Sequence, residues 1–247
     1  MKKLFFAVAV VFLFVNISYS QEIKQHLKKE NAFGLKLGGH MYNSSDDFID
    51  FWEIKTSDMS DFVFELAYEK KIMQMLYLEI PIGYFDSEVT DNDVIFDGDT
   101  YKLGVLNLYF SPTIKCNLGV NDRFAFYFGG GPDLYYTEID YKNDLLNYSM
   151  DDRFITFGVH GVVGMEIYIM KDPVSHGFYD LPVSLIFEYK YSWVEIKDAD
   201  EKVVNYLNDL SNENNWGFHL CKRDIDVGAH NIDVGAHKFF AGIKWHF

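Results

Sequence analysis

Along most of this chain apolar side chains fall on every second residue, the period of a β-strand with two unlike faces. Eight segments show it. Ala32 to Tyr42 sets Phe33, Leu35, Leu37 and Met41 against Gly34, Lys36, Gly38 and His40. Asp61 to Glu69 sets Phe62, Phe64, Leu66 and Tyr68 against Val63, Glu65, Ala67 and Glu69. Gln74 to Phe85 sets Leu76, Leu78, Ile80 and Ile82 against Tyr77, Glu79 and Gly83, and Tyr101 to Thr113 sets Leu106, Leu108 and Phe110 against Asn107, Tyr109 and Ser111. From Arg123, Phe124, Phe126 and Phe128 alternate with Ala125, Tyr127 and Gly129. Phe154 to Ile169 opposes Ile155, Phe157, Val159, Val163 and Met165 to Thr156, Gly158, His160, Gly164 and Glu166. Pro182 to Ile196 opposes Val183, Leu185, Phe187, Tyr189 and Tyr191 to Ser184, Glu188, Lys190 and Ser192. Lys238 to Phe247 closes the series, with Phe239, Ala241, Ile243, Trp245 and Phe247 on one parity.

The two parities decide which way the sheet faces. One is bulky and aromatic; the other mixes Gly, Ser, Glu, Lys, Tyr and His. A soluble eight-stranded barrel would have to hold about forty large apolar side chains in a lumen barely wide enough for filling side chains. Turned the other way, the small and polar set fills the lumen and the aromatic set meets lipid. Closure then leaves no unpaired backbone edge in hydrocarbon. The chain is thus read as all-β, an eight-stranded antiparallel up-and-down transmembrane β-barrel.

The connections alternate in length. Short ones lie around Lys71 (about four residues), Asn117 to Gly119 (about nine) and Lys171 to Pro173 (about a dozen). Long ones start at Asn43 (roughly 18), Asp86 (15), beyond Tyr136 (17 or more) and at Lys197 (about 40). Four long extracellular loops and short periplasmic turns give this order when the N-terminus is periplasmic. Trp245, Phe247 and Tyr68 fall at one end of the strands, and Tyr84, Tyr191 and Trp193 at the other, as interfacial aromatic girdles do.

Residues 1–20 stand apart. Met1-Lys2-Lys3 precedes an apolar run from Leu4 to Val15 and the small residues Ser18 and Ser20, the layout of a secretory signal peptide. Gln21 follows, so no lipoprotein cysteine is present there. The domain reading is a signal peptide over 1–20, a periplasmic lead over 21–31 and the barrel over 32–247. With 37 acidic and 22 basic residues, the net charge of −15 offers no footprint for nucleic acid. Two cysteines build no disulfide scaffold; Cys116 belongs near a periplasmic turn and Cys221 in an extracellular loop, so they are not expected to bond.

The chain ends Gly242-Ile243-Lys244-Trp245-His246-Phe247: glycine, two spacers, an aromatic, any residue, a terminal aromatic. This resembles the C-terminal assembly signal of Gram-negative outer-membrane barrels, with Gly242, Trp245 and Phe247 in the signal positions; Phe240 stands where the family usually has a polar residue. Together with the leader and the eight strands, the chain resembles the small barrels of the OmpA, OmpX or OmpW type. The resemblance implies residence in the outer membrane and recognition by the barrel-assembly machinery. It also implies contact with outer-membrane lipid and lipopolysaccharide. A monomer is expected.

Among the inward residues, Lys36, Glu65, Glu79, Glu166, Glu188, Lys190 and Lys244 would share a narrow lumen. Buried charges must pair, so an ion-pair network plugging the barrel is expected; a narrow gated pore or proton path is the alternative. His160, Ser192 and Glu188 lie inward on adjacent strands and suggest a catalytic triad, but one facing the plug instead of lipid. No enzyme activity, cofactor or metal is expected. Gly129 to Gly131 and Pro132 lack the Lys-Ser/Thr and helix of a phosphate loop and read as a bend or close packing. The acidic stretches Asp46, Asp47, Asp50, then Asp91, Asp93, Asp97, Asp99, then Asp151 and Asp152 read as a solvated rim, not an EF-hand. Val203, Val204, Leu207 and Leu210 have helical spacing. Ile225 to His230 is duplicated as Ile232 to His237, and seven residues along a strand keep the two histidines roughly 20 Å apart. The expected role is structural or interactive. The alternatives are a conduit for small hydrophobic molecules, as an OmpW-like resemblance implies, a lipid A-modifying enzyme, and a soluble lipocalin-like binder.

Overall fold

A computed structural model describes residues 30–42, 61–92, 100–119, 123–143, 148–169, 183–199, 201–202, 205 and 232–247. The signal peptide, most of the acidic loop positions, Cys221, His230 and the apolar positions of the proposed loop helix lie outside them. The strands in chain order are β1 (Asn31–Met41), β2 (Asp61–Lys71), β3 (Leu76–Asn92), β4 (Thr100–Phe110), β5 (Thr113–Gly119) and β6 (Phe124–Asn143). β7 (Tyr148–Tyr168), β8 (Val183–Trp193), β9 (Glu195–Ile196), β10 (Ile232–Asp233) and β11 (His237–His246) complete the set.

All pairings are antiparallel and the sheet closes on itself. β1 pairs with β2 on one side and with β11 on the other, from Ala32↔His246 to Met41↔His237. β4 and β5 are two halves of one stave: β3 and β6 pair with both, giving eight staves in the ring. The break falls at Ser111-Pro112 because proline has no N–H to give to the ladder. The stave therefore runs on to Gly119, beyond the Thr113 boundary expected from the alternation, and brings Lys115 into the lumen.

The parity reading of the wall holds through the membrane zone. Phe62, Ile82, Phe126 and Phe187 face outward and are about half exposed, whereas Lys36, Glu65, Glu79 and Glu188 of the opposite parity are buried. An apolar exterior around a closed ladder is a membrane-spanning wall.

Two features differ from expectation, for one physical reason. The connections expected after Asp86 and Tyr136 are largely strand: β3 stays paired with β4 up to Asn92↔Thr100, and β6 with β7 up to Asn143↔Tyr148. Along these extensions the outward parity changes from Tyr84, Leu108 and Leu134 to Asp86, Glu88, Lys102, Glu138 and Asp140. Hydrogen bonding continues where the lipid stops. Beyond that level the apolar parity turns inward, as in a water-facing sheet. Val63, Phe85, Leu103, Val105, Ile139 and Tyr141 accordingly form a buried apolar core in the extracellular half of the barrel, where a polar lumen was expected. β9 and β10 continue β8 and β11 in the same register and add Val194, Ile196, Ile232 and Val234 to that core as a cap.

Candidate functional site

Beneath the cap, the lumen is crossed by three ammonium groups and three carboxylates. Lys36 Nζ donates to Glu65 Oε1 at 2.7 Å, Glu79 Oε1 at 2.9 Å and Glu188 Oε1 at 2.8 Å. Lys115 Nζ donates to Glu79 Oε2 at 2.5 Å and Glu188 Oε2 at 2.9 Å. Lys190 Nζ lies 3.5 Å from Glu65 Oε2. Two tyrosines complete the layer: Tyr109 donates to Glu65 Oε2 at 3.0 Å and Tyr127 to Glu188 Oε2 at 2.8 Å. Every carboxylate thus meets several donors, the condition under which buried charge is tolerated. The layer is charge-balanced and links β1 to β2, β3 and β8, and β5 to β3 and β8, so it joins neighbouring staves and staves up to three apart around the ring.

Glu65, Glu79 and Glu188 bring one ligand atom each within 4.8 Å of one another, the spacing of a metal site. The Lys36 ammonium stands among them, within hydrogen-bond distance of all three. It does the work of a bound cation, held on a side-chain tether.

A second layer lies toward the periplasmic mouth. Lys244 Nζ sits 3.1 Å from both Glu69 oxygens and 2.9 Å from Glu166 Oε2. His246 Nε2 is 2.7 Å from Glu166 Oε1, to which Ser184 also donates, at 2.5 Å. On the other side, under the cap, Lys238 donates to Tyr135 Oη at 2.7 Å and to the Gly235 carbonyl at 2.5 Å. Its Nζ lies 5.2–5.4 Å from the ring centres of Phe85, Tyr109 and Tyr135, a cation–π enclosure. His40 stacks on Phe85 with ring centres 4.0 Å apart.

All seven charged residues singled out in the sequence lie in these layers, split between them: Lys36, Glu65, Glu79, Glu188 and Lys190 in the first, Glu166 and Lys244 in the second. Lys115 and Lys238 were missed, the first because Pro112 interrupts the alternation immediately before the Thr113 boundary. Glu69 stood on the lumen parity with Glu65, and that shared parity was the signal that could have placed it.

The suggested triad does not assemble. His160 Nδ1 is 2.8 Å from Asp133 Oδ1 and its Nε2 is 2.8 Å from Thr113 Oγ1, so both ring nitrogens are engaged away from Glu188. Thr113 donates its proton to the Ser111 carbonyl at 2.8 Å. Ser192 pairs with His160 in register, but its hydroxyl is not bonded to the ring, and Glu188 belongs to the ion-pair layer. The glycine run works as close packing: a Cβ on Gly129 or Gly131 would run into the carbonyls of Ile114 and Pro112. Asp151 and Asp152 are strand residues of β7, paired with Arg153 and Lys202. His237, at the top of β11, is 2.7 Å from Tyr189 Oη.

Of the terminal motif, Gly242 faces the lumen, Trp245 is partly buried on the outer parity, and Phe247 is exposed. The Phe247 N–H donates to the Asn31 carbonyl at 2.9 Å, tying the last residue to the first strand.

No family model matches the sequence, and no curated protein does. Among solved structures, the chain is similar to Ail, the attachment invasion locus protein of Yersinia pestis, in complex with the heparin analogue sucrose octasulfate. That likeness has 10% identity and a TM-score of 0.39, over 88% of this chain and 99% of that one. Neisserial surface protein A is similar at 10% identity and a TM-score of 0.37, over 88% of this chain and 95% of that one.

Proposed function

We propose that this protein is an integral outer-membrane barrel with a sealed lumen, acting structurally or by surface interaction through its extracellular ends. The observation that carries the reading is Lys36, bonded inside the lumen to carboxylates from three other strands. A lumen tied stave to stave in this way leaves the protein to act through what it shows outside. The partners that fit are outer-membrane lipid and lipopolysaccharide along the apolar wall, and the assembly machinery at Gly242, Trp245 and Phe247. The working unit is a monomer. Catalysis has no support in the His160 geometry.

The test is planar-bilayer recording of the purified barrel. Silence at all voltages is expected; regular single-channel steps would overturn the seal.

A lateral conduit is the second reading, favoured by one observation. The β7–β8 ladder ends at Val159↔Trp193, although β7 stays paired with β6 up to Tyr148. Against it, the Trp193 carbonyl and Val194 occupy the space beside Gly158. Faster uptake of a hydrophobic dye by vesicles carrying the protein would support the conduit.

A further inference from the structure

The one pairing of staves that chain connectivity does not bring about is β1 with β11, the first strand with the last. It places Lys36 opposite Gly242. The three carboxylates around Lys36 differ in how they become available. Glu65 is its directly paired neighbour on β2, so that contact forms within a hairpin. Glu79 is on the next strand, β3. Glu188 is on β8, beyond β11, where it pairs with Phe240. To reach Glu188 the Lys36 side chain must cross the last strand.

Gly242 is the crossing point. A Cβ there would stand 3.1 Å from Lys36 Cγ and 3.0 Å from Lys36 Cα, and would run into the Leu35 carbonyl. With no side chain on Gly242, the lysine stem lies over β11 and its ammonium reaches Glu188 Oε1 at 2.8 Å.

We propose that Lys36 is the closing latch of the barrel: a tethered cation on the first strand that passes over the last strand and locks onto the strand beyond. Ring closure and neutralisation of the lumen are then one event. Before β1 meets β11, Lys36 already holds Glu65 and Glu79 within the sheet, while Glu188 meets Lys115 and Tyr127 through Oε2, and water can still solvate its Oε1. Closure excludes that water, and an uncompensated carboxylate in the sealed layer is costly. Lys36 removes the cost in the step that creates it. Like Lys190–Glu65 and Lys244–Glu69, which cross the same seam, this contact is long-range, and loop-closure entropy makes it late; among the three it is the shortest. Lys115 touches Glu79 and Glu188 too, but it reaches Glu188 along β5, β6, β7 and β8, neighbours joined successively in the chain. The latch gives Gly242 a role inside the barrel that is separate from recognition of the terminal motif, and it does not depend on the sealed-lumen reading of function.

The test is refolding of the full barrel into lipid vesicles without assembly machinery. Strand formation is followed by circular dichroism, and closure by the compact band of unheated samples on a gel. In Lys36→Met, strands are expected at the wild-type rate, with the compact form delayed about tenfold or more and lost about tenfold faster in urea. Lys36→Met with Glu188→Gln should recover most of the delay, because the stranded carboxylate is gone. Lys115→Met should lose stability while closure keeps pace with strand formation. The latch is overturned if Lys36→Met closes at the wild-type rate, or if Lys115→Met delays closure equally. Should Lys36→Met give no compact form, Lys36→Arg and the Lys36→Met, Glu188→Gln pair must both give it; failure of either also overturns the latch.

Discussion

The ring of Tyr109 lies against Gly83, its directly paired neighbour on β3, so closely that a Cβ on the glycine would fall onto the ring's Cζ and hydroxyl. Tyr127 covers Gly164 in the same way on the β6–β7 pair. Each ring shields a bare stretch of strand and carries its hydroxyl to a carboxylate of the main layer. Glycine is needed here for space, and space for a ring is what sets the hydroxyl at the right height.

Gly83→Val should therefore displace Tyr109 and destabilise the barrel by about 1–3 kcal/mol through overpacking. Tyr109→Phe keeps the ring and loses only a hydrogen bond to a charged acceptor, about 1.5–3 kcal/mol. The two lesions share one contact, so the double variant should cost less than their sum. Urea unfolding in micelles, followed by tryptophan fluorescence, measures all three. Strict additivity would show that the ring and the glycine act independently.

The periplasmic layer gives a second test. Lys244 stands between Glu69 and Glu166, with His246 on the far oxygen of Glu166. Lys244→Met leaves two buried carboxylates facing each other and is expected to cost about 3–5 kcal/mol. Adding Glu69→Gln should restore a large part of it. A double variant no better than the single one would mean that packing, not charge, is what Lys244 supplies.

The wall and the buried ion pairs were legible for different reasons. Alternation is local, so Phe62 to Glu69 reads as a two-faced strand without knowledge of its neighbours, and the charge of Lys36 or Glu188 on the inner parity marks it for pairing. Which carboxylate meets which lysine depends on register, and that emerges only with the closed ring; His160 went to Asp133 and Thr113 in place of Glu188 for that reason. The extracellular core was hidden by the same parity rule that revealed the wall. Phe85 and Val89 continue the series of Glu79 and Gly83, but above the lipid an inward position is an apolar one. A stretch such as Asp86 to Thr90, polar outside and apolar inside, looks like the end of a membrane strand when it is the start of a water-facing one.

That water-facing ribbon carries a like-charge contact. Asp140 is paired across β6–β7 with Asp151, two residues along from Glu138↔Arg153 on the same face. Its carboxyl is held above the usual range, by partial desolvation first and then by Glu138 and Asp151, against the pull of Arg153. An acid whose pKa is raised by folding adds stability below its unfolded pKa and loses that contribution as pH rises through the folded value. The ribbon should thus be tighter in mild acid than at neutrality, by a small amount because the site is largely solvated. Amide-exchange protection over residues 138–152, corrected for intrinsic rates, should fall from acid to neutral pH in the wild type and change less in Asp140→Asn. Protection that rises toward neutral pH would contradict the assignment.

On the proposed sealed-lumen reading, the cap and the ion-pair layer act as two seals in series, and their chemistry makes them separable. Ile232 and Ile196 face each other across β9–β10 and are buried with Phe85, Leu103 and Ile139. Ile232→Asp places a charge where no water reaches, and the cap must loosen to solvate it. The layer around Lys36 does not involve that ladder and should stay intact. A cysteine at Leu103 should then react with an external maleimide only when Ile232→Asp is also present, while the bilayer recording stays silent. Removing Lys115 with Lys115→Ala thins the lower seal alone, and the intact cap should keep that variant silent too. Conductance is expected only when Ile232→Asp and Lys115→Ala are combined. Steps from Ile232→Asp alone would show that the apolar cap is the only barrier and that the ion pairs leave a path between them.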